Sequence, residues 1–437
     1  MTPRSPREWL TSHVNLEAGL NTPVTSRERG APTLERIGGL LRYFGSPELE
    51  YPAIQITGTN GKTTTAHICS TLLSTVGLRV GTITSPDLQR VNERMEVDSA
   101  AVDDDTLDEL LRAAELVERE VGIVASYFEI LVACSLRWFA DEAVDVAVVE
   151  VGMGGTWDAT NLVQGEVAVV TNVSLDHVDY LGPTRADIAQ EKAGIVKPGA
   201  TLVLGETDPS LVPIFTARDA STVLRRDTNF GVRRNVLAVG RRLLDVYTAT
   251  VEYPDVLLPL HGAYQGDNAA CALQAAEAFV GGTLPHEVVE DAFARVTSPG
   301  RLEVVGRRPL VVLDGAHNVA GARALRGSLE EEFGESLRTL VVGFLREKDP
   351  AEMLQALGIE ELEGVLVCCR APSPRALLPS EIAEAARVAG FPTERIEVVD
   401  RVADAVGAAL VATPADGQIV VTGSLYVVGA ARDVLVD

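Results

Sequence analysis

Residues 57–64, Thr-Gly-Thr-Asn-Gly-Lys-Thr-Thr, stand between a short apolar run, 51–56, and a helical pattern over 62–76. A strand that enters a glycine-rich turn and leaves as a helix is suited to hold phosphate. Small residues let successive backbone N–H groups close around the oxygens, and the helix N-terminus adds a favourable dipole. On this reading the Lys62 ammonium reaches the β- and γ-phosphates of a nucleotide, and the Thr63 hydroxyl sits near its metal. The pattern departs from G-x-x-x-x-G-K-[ST], since Ile56 occupies the first glycine position, but the strand and helix flanks carry the assignment. A GTPase would also need the guanine-reading N-K-x-D, which the chain lacks.

Short apolar runs alternate with helical patterns along most of the chain. Strands are predicted at 51–56, 79–84, 144–151, 167–172 and 200–204, and helices at 62–76, 103–121, 125–141 and 184–193. Apolar strands separated by helices predict a parallel sheet covered on both faces. Segment 222–259 has turn residues and alternating apolar positions, and reads as a β-hairpin region flanking that sheet. A helix follows at 265–280. The stretch Thr297-Ser298-Pro299-Gly300-Arg301 breaks regular structure. Beyond it the alternation restarts, with strands near 309–314, 338–344, 364–369, 395–399 and 418–422 and helices near 319–333, 379–389 and 401–412. The fold class is therefore α/β. A P-loop ATP-binding domain with a flanking β region is expected over 1–297, and a smaller Rossmann-like domain over 298–437.

Charge narrows the partners. A formal net charge of -24 repels nucleic-acid backbones and anionic membrane surfaces. No stretch approaches the roughly 18 apolar residues of a membrane span, and residues 1–14 lack an apolar signal core, so a soluble, cytoplasmic protein is expected. The five cysteines form no C-x-x-C pair and read as buried thiols. Only four of 38 basic residues are lysine: Lys62, Lys192, Lys197 and Lys348. A lysine kept in so arginine-rich a chain is a candidate for chemistry that guanidinium cannot do.

In an open parallel sheet, ligands bind beyond the carboxyl ends of the strands. Ser85 and Pro86 follow strand 79–84. Glu150 closes an otherwise apolar strand, and a carboxylate there suits Mg²⁺ beside ATP. His177 follows the run ending at Asn172 and, by itself, equally suits a hydrogen-bonded surface loop. The glycine-rich stretch 151–161 enters no obvious helix and reads as a substrate-shaping loop. Lys192, taken alone, reads first as a solvated helix-end lysine favourable to the dipole.

Eight blocks in order, TGTNGKTT, TSPDL, SYFE, VEVGMGGTWDATN, LDHVDYLG with IAQEKAGI, SPGRLE, LDGAHN and VTGSLYVVG, resemble the folylpolyglutamate synthase/dihydrofolate synthase family, a branch of the Mur ligase superfamily. The resemblance runs from about residue 34 to 429. It implies that ATP phosphorylates a substrate carboxylate and that the amine of L-glutamate attacks the acyl phosphate, giving an amide, ADP and phosphate. Dihydropteroate, a (tetrahydro)folate or both are the implied acceptors. Thr59, Asn60, Gly61 and Lys62 are implied to hold the ATP phosphates, and Thr63, Ser85 and Glu150 one Mg²⁺, with His177 at a second. Lys192 matches the lysine that the family carbamylates, a change that turns a cation into a metal-binding anion. Asn268 is implied to contact the nucleotide, and Arg301 and Asp314 to close over ATP from the second domain, with motion about 297–301. His317 is a weaker nucleotide candidate that shapes its loop. Ser126, Tyr127, Phe128 and Glu129, with Trp157, Asp158 and Ala159, are implied to line the pteridine side. The family expectation is a monomer, and a monovalent-cation requirement stays open.

Three departures stand out: Asp87 where many relatives have His or an apolar residue, Thr63 where many have glycine, and Thr156 where arginine is common. A peptidoglycan-type Mur ligase is the nearest alternative. Such chains carry an extra N-terminal domain, and only about 55 residues precede the phosphate loop here. A nucleotide-binding regulator without chemistry is the other, and joint retention of Lys62, Glu150, His177 and Lys192 speaks against it.

Overall fold

The computed structural model describes residues 4–15, 26–238, 240–334 and 336–436. The chain divides into two compact units, 1–259 with 265–297, and 260–264 with 298–437.

Eight strands form the sheet of the first unit: β1 (Ala53–Thr57), β2 (Val80–Ile83), β3 (Met95–Val97), β4 (Ala100–Ala101), β5 (Val146–Glu150), β6 (Gly165–Val170), β7 (Thr201–Leu204) and β8 (Thr222–Arg225). Their order is β4-β3-β2-β5-β1-β6-β7-β8, parallel from β2 to β8, with β3 and β4 added antiparallel at one edge. Every residue of β1 and of β5 is buried, as strands covered on both faces must be. Ile56 pairs with Glu150 on one side and Val169 on the other, so the carboxyl ends of the three central strands align.

The covering helices start where local chemistry sets them. Asp103 caps Asp104–Val121 by accepting from the Thr106 amide, and Gly122 ends it in the left-handed region. Ser126 and Glu129 form a capping box on Tyr127–Asp141, as Thr184 and Asp187 do on Arg185–Lys192. Helix Lys62–Thr75 follows β1 directly and packs against β2 and β5.

The hairpin expectation for 222–259 holds in part. Its first segment is β8, which joins the main sheet parallel to β7, because β7 left a pairing edge open. Only β9 (Gly231–Ala238), β10 (Arg241–Tyr247) and β11 (Glu252–Leu258) form a separate antiparallel sheet.

The second unit has a six-stranded sheet of β12 (Glu303–Arg307), β13 (Leu310–Leu313), β14 (Arg338–Val342), β15 (Leu366–Cys368), β16 (Ile396–Val398) and β17 (Gln418–Thr422), ordered β12-β13-β17-β14-β15-β16. All pairs are parallel except β12 with β13. Helices Val319–Phe333, Pro379–Val388 and Val402–Ala412 lie close to their predicted ranges, whereas β12 and helices Pro350–Ala356 and Leu425–Leu435 were not predicted. All five cysteines are buried and unbridged. No described helix is long and apolar enough to cross a membrane.

Candidate active site

The phosphate loop leaves β1 and is fastened to the segment that leaves β6. The Thr59 amide donates to the Asn172 carbonyl at 2.9 Å. The Thr59 hydroxyl donates to the Ser174 carbonyl at 3.1 Å and accepts from the Ser174 amide at 2.9 Å. The Asn60 amide donates to Asn172 Oδ1 at 3.0 Å, while its carbonyl accepts from Thr171 Oγ1 at 2.7 Å and Asn172 Nδ2 at 2.9 Å. Gly61 has φ 82, and a Cβ there would overlap the Asn268 amide group. The turn therefore needs glycine twice over, and the Asn268 side chain is set against the loop.

Glu150 ends β5 with 1% exposure. Its Oε1 accepts from Thr63 Oγ1 at 3.1 Å and its Oε2 from the Ser85 amide at 3.2 Å. Thr63 in the first turn of its helix and Ser85 beyond β2 thus both meet Glu150 at the end of β5. Lys62 Nζ lies 3.4 Å from the Thr59 carbonyl.

Lys192 corrects its solvated, helix-end reading. It is 4% exposed, and its ammonium donates to the Gly58 carbonyl at 2.8 Å. Burial pulls its pKa down to about 7; the nearby charge of Lys62 pulls the same way, and Asp176 and Asp158 oppose it. The end of helix Arg185–Lys192 is capped by tertiary packing: a Cβ on Gly155 would sit 2.6 Å from the Glu191 carbonyl and 3.0 Å from that of Lys192. The Thr156 amide and hydroxyl both donate to the Glu191 carbonyl, at 3.1 and 3.2 Å. Stretch 151–161, read from sequence as substrate-shaping, thereby also packs against the backbone at the end of that helix.

His177 sits in the left-handed region with φ 50 and a side chain 40% exposed; its Nε2 is 3.9 Å from Asp176 Oδ2. Asp176 is buried and accepts from the His177 amide at 2.9 Å.

The acceptor-side residues separate into two kinds. Ser126 and Glu129 bond each other's amides at helix Tyr127–Asp141, and Glu129 Oε2 also accepts from Arg36 Nε at 3.2 Å. The Asp158 carboxylate accepts from the Met153 amide at 2.9 Å, the Thr160 amide at 3.0 Å and the Thr160 hydroxyl at 2.6 Å. Burial pushes its pKa up and these bonds pull it back. The Ser126 and Asp158 groups are thus bonded within the fold, whereas Glu129 Oε1 is buried without a hydrogen-bond partner among the described residues. Phe128 packs at Gly152, Ala159 is buried, and Trp157 is 44% exposed. Asp87 accepts from Arg94 Nε at 2.5 Å, and the Arg94 guanidinium lies 5.4 Å from the centre of the Tyr127 ring.

In the second unit, buried Asp314 accepts from the Leu302 amide at 2.8 Å and the Ala316 amide at 2.9 Å, tying SPGRLE to LDGAHN. Burial raises its pKa, and Arg301 opposes that. His317 Nδ1 is 2.9 Å from the Gly315 carbonyl, bonding within its own loop.

Sequence reasoning missed the clamp at Thr171, Asn172 and Ser174, and buried Asp176 beyond it. The available signal was a polar run, T-N-V-S-L-D, beginning where an apolar strand stops on the ligand edge.

The fold and site define a Mur-type ligase. Models of the Mur ligase middle domain and of the Mur ligase glutamate ligase domain match residues 56–276 and 300–425. A Mycobacterium tuberculosis protein named dihydrofolate synthase/folylpolyglutamate synthase is 39% identical, over 92% of this chain and 89% of its own. The Lacticaseibacillus casei folylpolyglutamate synthase is 34% identical over 92% and 94%. The structure of Mycobacterium tuberculosis folylpolyglutamate synthase complexed with ADP superposes with a TM-score of 0.87, at 39% identity over 93% of this chain and 95% of that one. An FPGS–AMPPCP–folate complex gives 0.83 at 31% identity over 99% of both. This chain belongs to the dihydrofolate synthase/folylpolyglutamate synthase family.

Proposed function

We propose that this enzyme uses ATP to join L-glutamate to the carboxylate of dihydropteroate and of folates. The observation that carries the reading is the meeting of Lys62, the Thr63–Glu150–Ser85 contact and buried Lys192 around one phosphate loop. A carboxylate is a poor acyl donor because oxide is a poor leaving group. Attack of its oxygen on the γ-phosphorus releases ADP and forms an acyl phosphate. The neutral amine of glutamate then adds to the carbonyl carbon, loses a proton, and phosphate departs with the C–O bond electrons. Two anions must meet in the first step, so fixed positive charge is needed where negative charge builds. Lys62 and the N-terminus of helix Lys62–Thr75 supply it, on a loop whose Thr59 and Asn60 amides are held by Asn172. Lys192, buried beside Lys62, yields its proton more readily than an exposed lysine would.

Mg²⁺ fits the donor set: one buried carboxylate and one hydroxyl leave room for phosphate oxygens and water, the coordination this ion prefers. Thr63, Ser85 and Glu150 would hold it, with His177 and a Lys192 carbamate at a second site, and it would supply charge neutralisation at the phosphates. A neutral Lys192 amine is the form that takes up CO₂, and burial favours that form.

The test is phosphate release from ATP with glutamate and each acceptor in turn. Release that needs both glutamate and a pteroate-type acid is expected; release at the same rate without them would end the proposal.

A further inference from the structure

The segment that clamps the phosphate loop is itself held by two charges that the chemistry does not use. Val173 lies between Asn172 and Ser174, both bonded to the loop. Its amide donates to Glu206 Oε2 at 2.7 Å, and its carbonyl accepts from Arg185 Nε at 2.9 Å. Glu206 is 7% exposed, and its other oxygen accepts from the Asp208 amide at 2.9 Å. Arg185 also donates to Asp208 Oδ2 at 2.6 Å and to Glu206 Oε2 at 3.4 Å. A backbone unit whose donor and acceptor are taken by opposite charges is fixed in position as well as buried. Arg185 opens the eight-residue helix that Lys192 closes, and Lys192 bonds the Gly58 carbonyl. One short helix thus engages the phosphate loop from both ends.

We propose that Arg185 and Glu206 are positioning residues for nucleotide binding, setting through Val173 the backbone geometry that Asn172 and Ser174 impose on Thr59 and Asn60. The proposal rests on the nucleotide reading given above. The Arg185 side chain is 40% exposed, so its ion pairs by themselves add little to stability. The effect is expected in nucleotide affinity instead. Lysine cannot reach Val173, Glu206 and Asp208 together, and glutamine at 206 has one oxygen for two amides.

The test uses the full chain with Arg185→Met, Arg185→Lys and Glu206→Gln. Calorimetry should show ADP binding weakened about tenfold in Arg185→Met and Glu206→Gln, with Arg185→Lys between them and wild type. KM for ATP should rise by the same factor while KM for glutamate stays fixed. Amide hydrogen exchange should quicken at 57–64 and not along β6 and β7. ADP affinity unchanged within about twofold in Arg185→Met, or faster exchange throughout the sheet, would overturn the proposal and leave only a fold-stabilising pair. Should wild type fail to bind ADP, the functional reading falls, and the exchange pattern at 57–64 still judges the brace.

Discussion

The carboxyl edge of the first sheet carries two groups of polar residues that resemble one another in sequence and differ in what they bond. Around the phosphate loop, Thr63, Ser85 and Glu150 come from three separate segments and converge, and Lys192 reaches the Gly58 carbonyl from a helix end. On the acceptor side, Ser126, Glu129 and Asp158 turn back onto amides within a few residues of themselves, and Glu129 adds one long-range bond, to Arg36. Long-range convergence buries charge at one place and sets two lysines side by side, which is costly unless a ligand uses them. Local closure satisfies most of these buried polar atoms, Glu129 Oε1 excepted, and shapes a wall. Substitutions in the first group should therefore cost chemistry, and those in the second should cost stability.

The sharpest way to break this contrast is Lys62→Ala. Turnover should fall by about 10³-fold or more with an unchanged thermal midpoint, because the ammonium acts on transferring phosphate. Activity within tenfold of wild type would misplace the site. Glu150→Gln comes next: the Mg²⁺ concentration for half-maximal activity should rise about tenfold, since an amide is a weaker oxygen ligand than a carboxylate. An unmoved titration would remove Glu150 from the metal set. Asp158→Ala should instead lose about 2–3 kcal/mol of stability for three orphaned donors, read by urea unfolding, while ADP affinity holds. Loss of ADP affinity with normal stability would reverse the assignment of the two groups.

The smallest effect is a pH dependence. The Lys192 pKa is lowered from the ordinary lysine value of 10.5 to about 7, so between those values the unfolded chain holds a proton that the folded chain releases. Stability then rises with pH across that window. Below about 7 the amine is charged in both states and the cost of burying that charge is fully present. Relative to Lys192→Met, wild type should gain stability between pH 7 and pH 10 in CO₂-free buffer. Parallel stability curves for the two proteins would contradict it.

Much of the fold was readable because strand and helix periods are local. β1, β5, β6 and the helix at 62–75 fell close to their predicted ranges, and the phosphate loop announced itself by its flanks. Strands β3 and β4 were not, being three and two residues long and made only by pairing with β2. β8 looked like part of a hairpin because its alternating pattern suits either sheet, and the open edge of β7 decided the outcome.

By itself the sequence determined which residue types stand at the strand ends and that they follow α/β order, since those depend on neighbours a few positions apart. Tertiary structure alone decided their environments. Lys192, a helix-end lysine on paper, is 4% exposed with its ammonium on the Gly58 carbonyl, and Asp158, a substrate-side candidate, also braces its own loop. Burial and charge at a point are sums over segments far apart in the chain, and no local pattern encodes such a sum.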